Sequence, residues 1–82
     1  MYNMIPLRNA IVETMEKNKV LTDDELLAEL QKRYNELTKE KLYQELMKLE
    51  ILGVIRVYEI GKGKKRIELA SGSSEMIGEF DY

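Results

Sequence analysis

The chain has 82 residues, 44% of them apolar and 34% charged, with thirteen Lys+Arg against fifteen Asp+Glu for a net charge of −2. That composition is globular rather than disordered, and the length gives room for one small domain. Cysteine and histidine are both absent, which excludes disulfides, thiol nucleophiles and zinc–thiolate sites and removes the commonest general base and transition-metal ligand.

The first helix is predicted from Ile5 to Asn18, where Leu7, Ala10, Ile11, Thr14 and Met15 recur at helical spacing and Pro6 suits the first turn. Val20-Leu21 reads as a short extended pair. Thr22-Asp23-Asp24-Glu25 is a helix start: Thr22 as N-cap, Glu25 closing a capping box, acids in the first turn. Leu26, Leu27, Leu30 and Tyr34 form the apolar stripe of this second helix, which is expected to end near Asn35. Thr38 caps a third helix with Leu42, Leu46, Leu49 and Leu52 as its buried row, and Gly53 stops it. The period then changes to that of a strand. Val54 to Ile60 and Lys65 to Ala70 are two strands joined by the loop Gly61-Lys62-Gly63-Lys64. Ser71-Gly72-Ser73-Ser74 has a linker composition. The expected division is therefore a domain over residues 1–70 and an acidic C-terminal tail over 71–82.

The order helix, short strand, helix, helix, strand, basic loop, strand describes an α+β domain with topology α-β-α-α-β-β. Its hairpin is too small to stand alone and must pack on the helices. Residues 5–70 resemble a winged helix-turn-helix. Within them, Leu42-Tyr43-Gln44-Glu45-Leu46-Met47-Lys48-Leu49-Glu50-Ile51-Leu52-Gly53-Val54-Ile55-Arg56 is similar to the "LY..L..LE..G.I" segment of PadR-like and ferric-uptake-type regulators. Lys64-Lys65-Arg66-Ile67-Glu68-Leu69 continues the likeness into the wing. The chain departs from both families: it lacks the metal-sensing histidines and dimerisation domain of the one and the long C-terminal helix of the other. Metal sensing is therefore not implied, and neither a metal nor a cofactor is expected.

What the resemblance implies is duplex DNA binding by a small transcriptional regulator, with the third helix in the major groove and the wing on phosphates. The charge pattern agrees with it. Residues 56–68 carry Arg56, Lys62, Lys64, Lys65 and Arg66 against Glu59 and Glu68, a local +3 in an acidic chain. Fields decay over roughly 8 Å at physiological salt, so this local excess matters more than the total. On the third helix Lys39, Lys41, Tyr43, Gln44 and Lys48 remain once the apolar row is removed. Gln44 suits an adenine edge or a phosphate, Tyr43 a phosphate oxygen, and the lysines supply position and charge. About five phosphate contacts would make log K fall with log salt at a slope near −4 to −5. A blander reading stands beside it: Glu40, Glu45 and Glu50 share that helix, Lys41–Glu45 is an i,i+4 pair of a solvated face, and charge on a hairpin tip protects an edge strand.

The tail, from Glu75 to Tyr82, joins acids to Met76, Ile77, Phe80 and Tyr82. It reads as a docking motif for a protein partner, as a segment that folds back or packs across a dimer, or as an acidic brake on the basic wing. The alternative function is accordingly a protein-interaction winged helix, an accessory subunit of a transcription or replication complex. No phosphate loop, nucleophile elbow or metal-ligand spacing is present, so an enzyme is not expected. Apolar runs are far shorter than a membrane span and Met1 to Arg8 lacks the regions of a signal peptide. The expectation is a cytoplasmic protein, and a homodimer if it reads two half-sites.

Overall fold

The computed structural model describes residues 6–70. Helix α1 spans Leu7–Asn18, strand β1 Val20–Thr22, helix α2 Asp23–Gln31, helix α3 Lys39–Ile51, strand β2 Ile55–Gly61 and strand β3 Lys64–Leu69. This is the expected α-β-α-α-β-β order. The three strands form one antiparallel sheet in the order β1-β3-β2, so the last strand lies in the middle. Ile67 of β3 stands opposite Leu21 on one side and Val57 on the other. It is fully buried and joins Ala10, Ile11, Met15, Leu26, Leu30, Leu42, Leu46, Leu49, Val54 and Ile55 in one core. Each helix contributes its apolar stripe and the sheet contributes its inner face, which is the arrangement that closes a small α+β domain.

Local chemistry accounts for most boundaries. Thr22 and Glu25 form the capping box at the start of α2: the Thr22 hydroxyl accepts from the Glu25 N–H, and the Glu25 carboxylate accepts from the Thr22 N–H. Thr38 caps α3 by accepting from the Lys41 N–H at 3.1 Å. The end of α3 is a Schellman motif. Gly53, at φ 81°, donates to the Glu50 carbonyl, and Val54 donates to the Leu49 carbonyl.

Four expectations are corrected. Pro6 stands just outside α1 as its N-cap, in extended backbone, rather than in the first turn. Helix α2 stops at Gln31, short of Asn35, because the Leu30 carbonyl accepts from both Arg33 and Tyr34 and the chain tightens into a turn. Tyr34 still packs on the core, but from that turn. Leu52 is 40% exposed, since the Schellman turn brings Val54 rather than Leu52 back into the core. The expected pair Lys41–Glu45 does not form. Glu45 is buried on the apolar side of α3 and pairs instead with Arg8 at 3.6 Å and Lys48 at 3.2 Å.

The hairpin is tighter than its sequence suggests. Gly61 and Lys64 are still paired, leaving only Lys62 and Gly63 at the tip, with Gly63 at φ 66°. Ile60 is an extra residue on β2, a bulge between the pairs Glu59–Lys65 and Gly61–Lys64.

Candidate nucleic-acid interface

The site is built from α3 and the β2–β3 hairpin. Along α3, the row Leu42, Leu46 and Leu49 is buried, which leaves Lys41, Gln44 and Lys48 exposed. Lys41 and Gln44 make no side-chain hydrogen bond or ion pair among the described residues, whereas Lys48 is held by Glu45. Glu40 and Glu50 stay exposed on the same helix, but Glu45 has turned inward.

Alternation along the hairpin separates its cations. Arg56 is exposed on β2, and Lys62 and Lys64 are exposed at the tip; none of the three has an ion-pair partner among the described residues. Lys65 points inward instead. Its Nζ lies 3.2 Å from Glu59, the residue opposite it across the hairpin, and 5.4 Å from the centre of the Tyr43 ring. Arg66 stacks 4.9 Å from the Tyr58 ring and lies 2.9 Å from Glu68, an ionic contact without hydrogen-bond alignment. The ten cationic and polar residues expected at the interface thus fall into two groups. Lys41, Gln44, Arg56, Lys62 and Lys64 are free, while Lys39, Tyr43, Lys48, Lys65 and Arg66 are paired with other groups of the protein. The tail residues Met76, Ile77, Phe80 and Tyr82 lie outside the described residues.

Lys39 and Tyr43 meet at one residue whose place in the sequence suggests only a first-turn acid. Asp23 has no exposed surface. Its carboxylate accepts from the Tyr43 hydroxyl and from the backbone N–H of Asp24 at 2.8 Å, and Lys39 Nζ lies 3.7 Å away. Burial pushes the Asp23 carboxyl up, but the Tyr43 hydroxyl, the Lys65 and Asp24 N–H groups and the Lys39 charge together hold it below its ordinary value. Tyr43 is raised, by burial first and then by the Asp23 carboxylate that accepts its proton's hydrogen bond. Lys39 is raised chiefly by its hydrogen bond to Asp24 at 2.9 Å. A sequence signal for this burial did exist. Asp23, Leu26 and Leu30 share one helix face, as Leu42, Glu45 and Leu49 do, so both inward acids sit on apolar stripes.

A cleft of about 210 Å³ separates α3 from the wing, lined by Tyr43, Leu46, Met47, Glu50, Val57 and Lys65. Met47 is 61% exposed at its edge.

The family model of the ferric uptake regulator family matches residues 2–77. The chain belongs to this family. Its members are DNA-binding transcription regulators, and the α+β domain seen here is consistent with their winged-helix portion. No curated protein and no solved structure gives a match. The described residues do not offer a donor set for a transition-metal ion. The chain has neither histidine nor cysteine, and among the described residues no three acidic side chains converge on a point where an ion would sit. Among those same residues no helix is long and apolar enough to cross a membrane.

Proposed function

We propose that this ferric uptake regulator family member binds duplex DNA as a winged helix, with α3 in the major groove and the β2–β3 wing along a phosphate backbone. The observation that carries the reading is that four cations on α3 and the hairpin have no internal carboxylate: Lys41 on α3, and Arg56, Lys62 and Lys64 on the wing. Exposed like charges gathered on two neighbouring elements are suited to phosphate oxygens. Gln44, one turn on from Lys41 and equally unengaged, is the side chain placed to address a base edge. Lys39, Lys48, Lys65 and Arg66 are already paired, so they add to the field around the site rather than acting as free contacts. Tyr43, whose hydroxyl is held by Asp23, supports the helix from within.

Four phosphate contacts give a slope of log K on log salt near −3.6, since each contributes about 0.9. A homodimer reading two half-sites, one turn of duplex apart, suits a regulator of this kind. The chemistry is recognition, not catalysis.

Titration of the protein into a labelled mixed-sequence duplex, followed by fluorescence anisotropy at 50 and 150 mM salt, tests the proposal. Binding that weakens steeply with salt supports it. Absence of binding even at the lower salt sinks it and leaves the family domain a protein-interaction module.

A further inference from the structure

Helix α3 buries Leu42, Leu46 and Leu49, so its opposite side carries Gln44, Met47 and Ile51, which fall on one face by their three- and four-residue steps. Met47 is 61% exposed and Ile51 78%. Single exposed apolar side chains are ordinary on a protein surface, but the place of Met47 is particular. It stands one turn on from Gln44, between two groups of cations. Toward one flank lie Lys41 and Lys48 of the same helix. Toward the other lies the wing, because Met47 and Lys65 line the same cleft. The exposed acids of α3, Glu40 and Glu50, stand next to its two ends. Ile51 is the last residue of the helix and follows Glu50.

An uncharged strip with lysines on both flanks calls for a partner that is anionic along two borders and neutral between them. A duplex has that layout, with phosphates along both borders of the major groove and base edges on its floor. The apolar group that a base edge offers there is the 5-methyl of thymine. A methionine suits it, since its side chain is long, unbranched and adaptable, and covers a methyl group without exact placement of the backbone.

We propose that Met47 is a specificity-determining residue, which packs on a thymine 5-methyl group in the major groove one turn of α3 away from Gln44. The proposal rests on the DNA-binding reading above and gives the interface an apolar base contact beside its charges. Methyl recognition draws on no phosphate, so affinity and salt slope respond to it separately.

The test uses a labelled duplex made only of A·T pairs and the same duplex with deoxyuridine in place of thymidine, which deletes the 5-methyl group and keeps every hydrogen-bonding edge. Anisotropy titrations at both salt concentrations compare wild type with Met47→Ala, Met47→Leu and Ile51→Ala. Wild type should bind the thymine duplex about 4-fold more tightly for each methyl group covered. Met47→Ala should bind the two duplexes alike, at the affinity of wild type for the uracil duplex and with the salt slope unchanged. Met47→Leu keeps the apolar bulk and should keep the preference. Ile51→Ala deletes a still more exposed apolar side chain and should behave as wild type. Both positions are exposed on a helix, where alanine and leucine are favourable, so the variants should fold; their urea midpoints check it.

Equal binding of the two duplexes by wild type overturns the proposal. So does a preference that survives Met47→Ala, or that is absent from Met47→Leu or Ile51→Ala. A changed salt slope in Met47→Ala overturns it too, because Met47 would then be setting the position of the cations. A wild-type dimer, seen by sedimentation equilibrium, that Met47→Ala splits has the same force, since a second copy would then cover the methionine. Failure of wild type to bind either duplex at the lower salt refutes the DNA-binding reading itself and the proposal with it, a result distinct from the others, in which the duplex is still bound.

Discussion

Replacing both Lys62 and Lys64 by alanine isolates the electrostatic part of the proposed interface. Both side chains are exposed at the wing tip and neither makes an ion pair among the described residues, so folding should change by no more than about 0.5 kcal/mol. Each lysine on a phosphate contributes about 0.9 to the salt slope, and the resulting factor in affinity follows from the salt concentration alone. At 150 mM it is about 5-fold per lysine, hence about 30-fold or ~2 kcal/mol for the pair; at 50 mM it grows to about 200-fold. Anisotropy titrations at the two concentrations should therefore show a slope shallower by about 1.8 and a loss several times larger at low salt. Arg56 and Lys41 remain to give residual binding. A loss of equal size at both salts, or none, would refute the phosphate assignment of the tip, whatever the affinity of the parent protein.

Four further outcomes follow from the fold. Ile67→Ala, at a fully buried position in the central strand, should cost about 2–5 kcal/mol. A domain this small has roughly 3–10 kcal/mol in all, so the urea midpoint should collapse; a shift under about 1 kcal/mol would contradict the core assignment. Thr22→Ala removes the capping box of α2 and should cost about 1 kcal/mol by the same assay. Gly63→Ala forces a side chain to φ 66° and should cost about 1 kcal/mol, whereas Gly61→Ala, which meets open space at negative φ, should stay within about 0.5 kcal/mol. The urea midpoint should be level from about pH 5 to 9 and fall on both sides. Asp23 lies below its ordinary 3.8 in the folded protein, so its contribution is complete above that value and is lost as the pH drops through the folded one. Tyr43 and Lys39 lie above their ordinary 10.0 and 10.5, so theirs is complete below about pH 10 and is lost as the pH climbs through the raised values. A midpoint that rises on acidification would contradict the Asp23 assignment.

The element order was legible because each signal is local. Thr22-x-x-Glu25, Thr38 and Gly53 act on backbone groups within a turn of themselves, and all three do in the structure what their positions in the chain suggest. The change of period after Gly53 marks the helix-to-strand switch for the same reason. Where the end of an element depends on what the chain meets next, local signals do not place it. Helix α2 could have continued through Tyr34 by periodicity, but the turn that carries Tyr34 to the core takes it off the helix. Leu52 continued the heptad-like row of α3, but the Schellman turn gives its place to Val54.

For the site, residue types and their gathering on α3 and the wing can be read from the chain alone, since charge is a property of composition. Which of those charges is free cannot. Lys65 and Glu59 are opposed only because Ile60 bulges and sets the hairpin register. Lys39 and Tyr43 meet Asp23 across as many as 20 residues of sequence, and Lys65 Nζ comes to lie over the Tyr43 ring. Capping, turns and binary pattern are short-range and survive in one dimension. The pairing of a particular lysine with a particular carboxylate requires packed elements to bring them within a few ångströms. So the chain by itself determined a winged-helix fold with a basic hairpin, and only the tertiary structure decided which cations stay unpaired and which are held by Asp23, Glu45, Glu59 and Glu68.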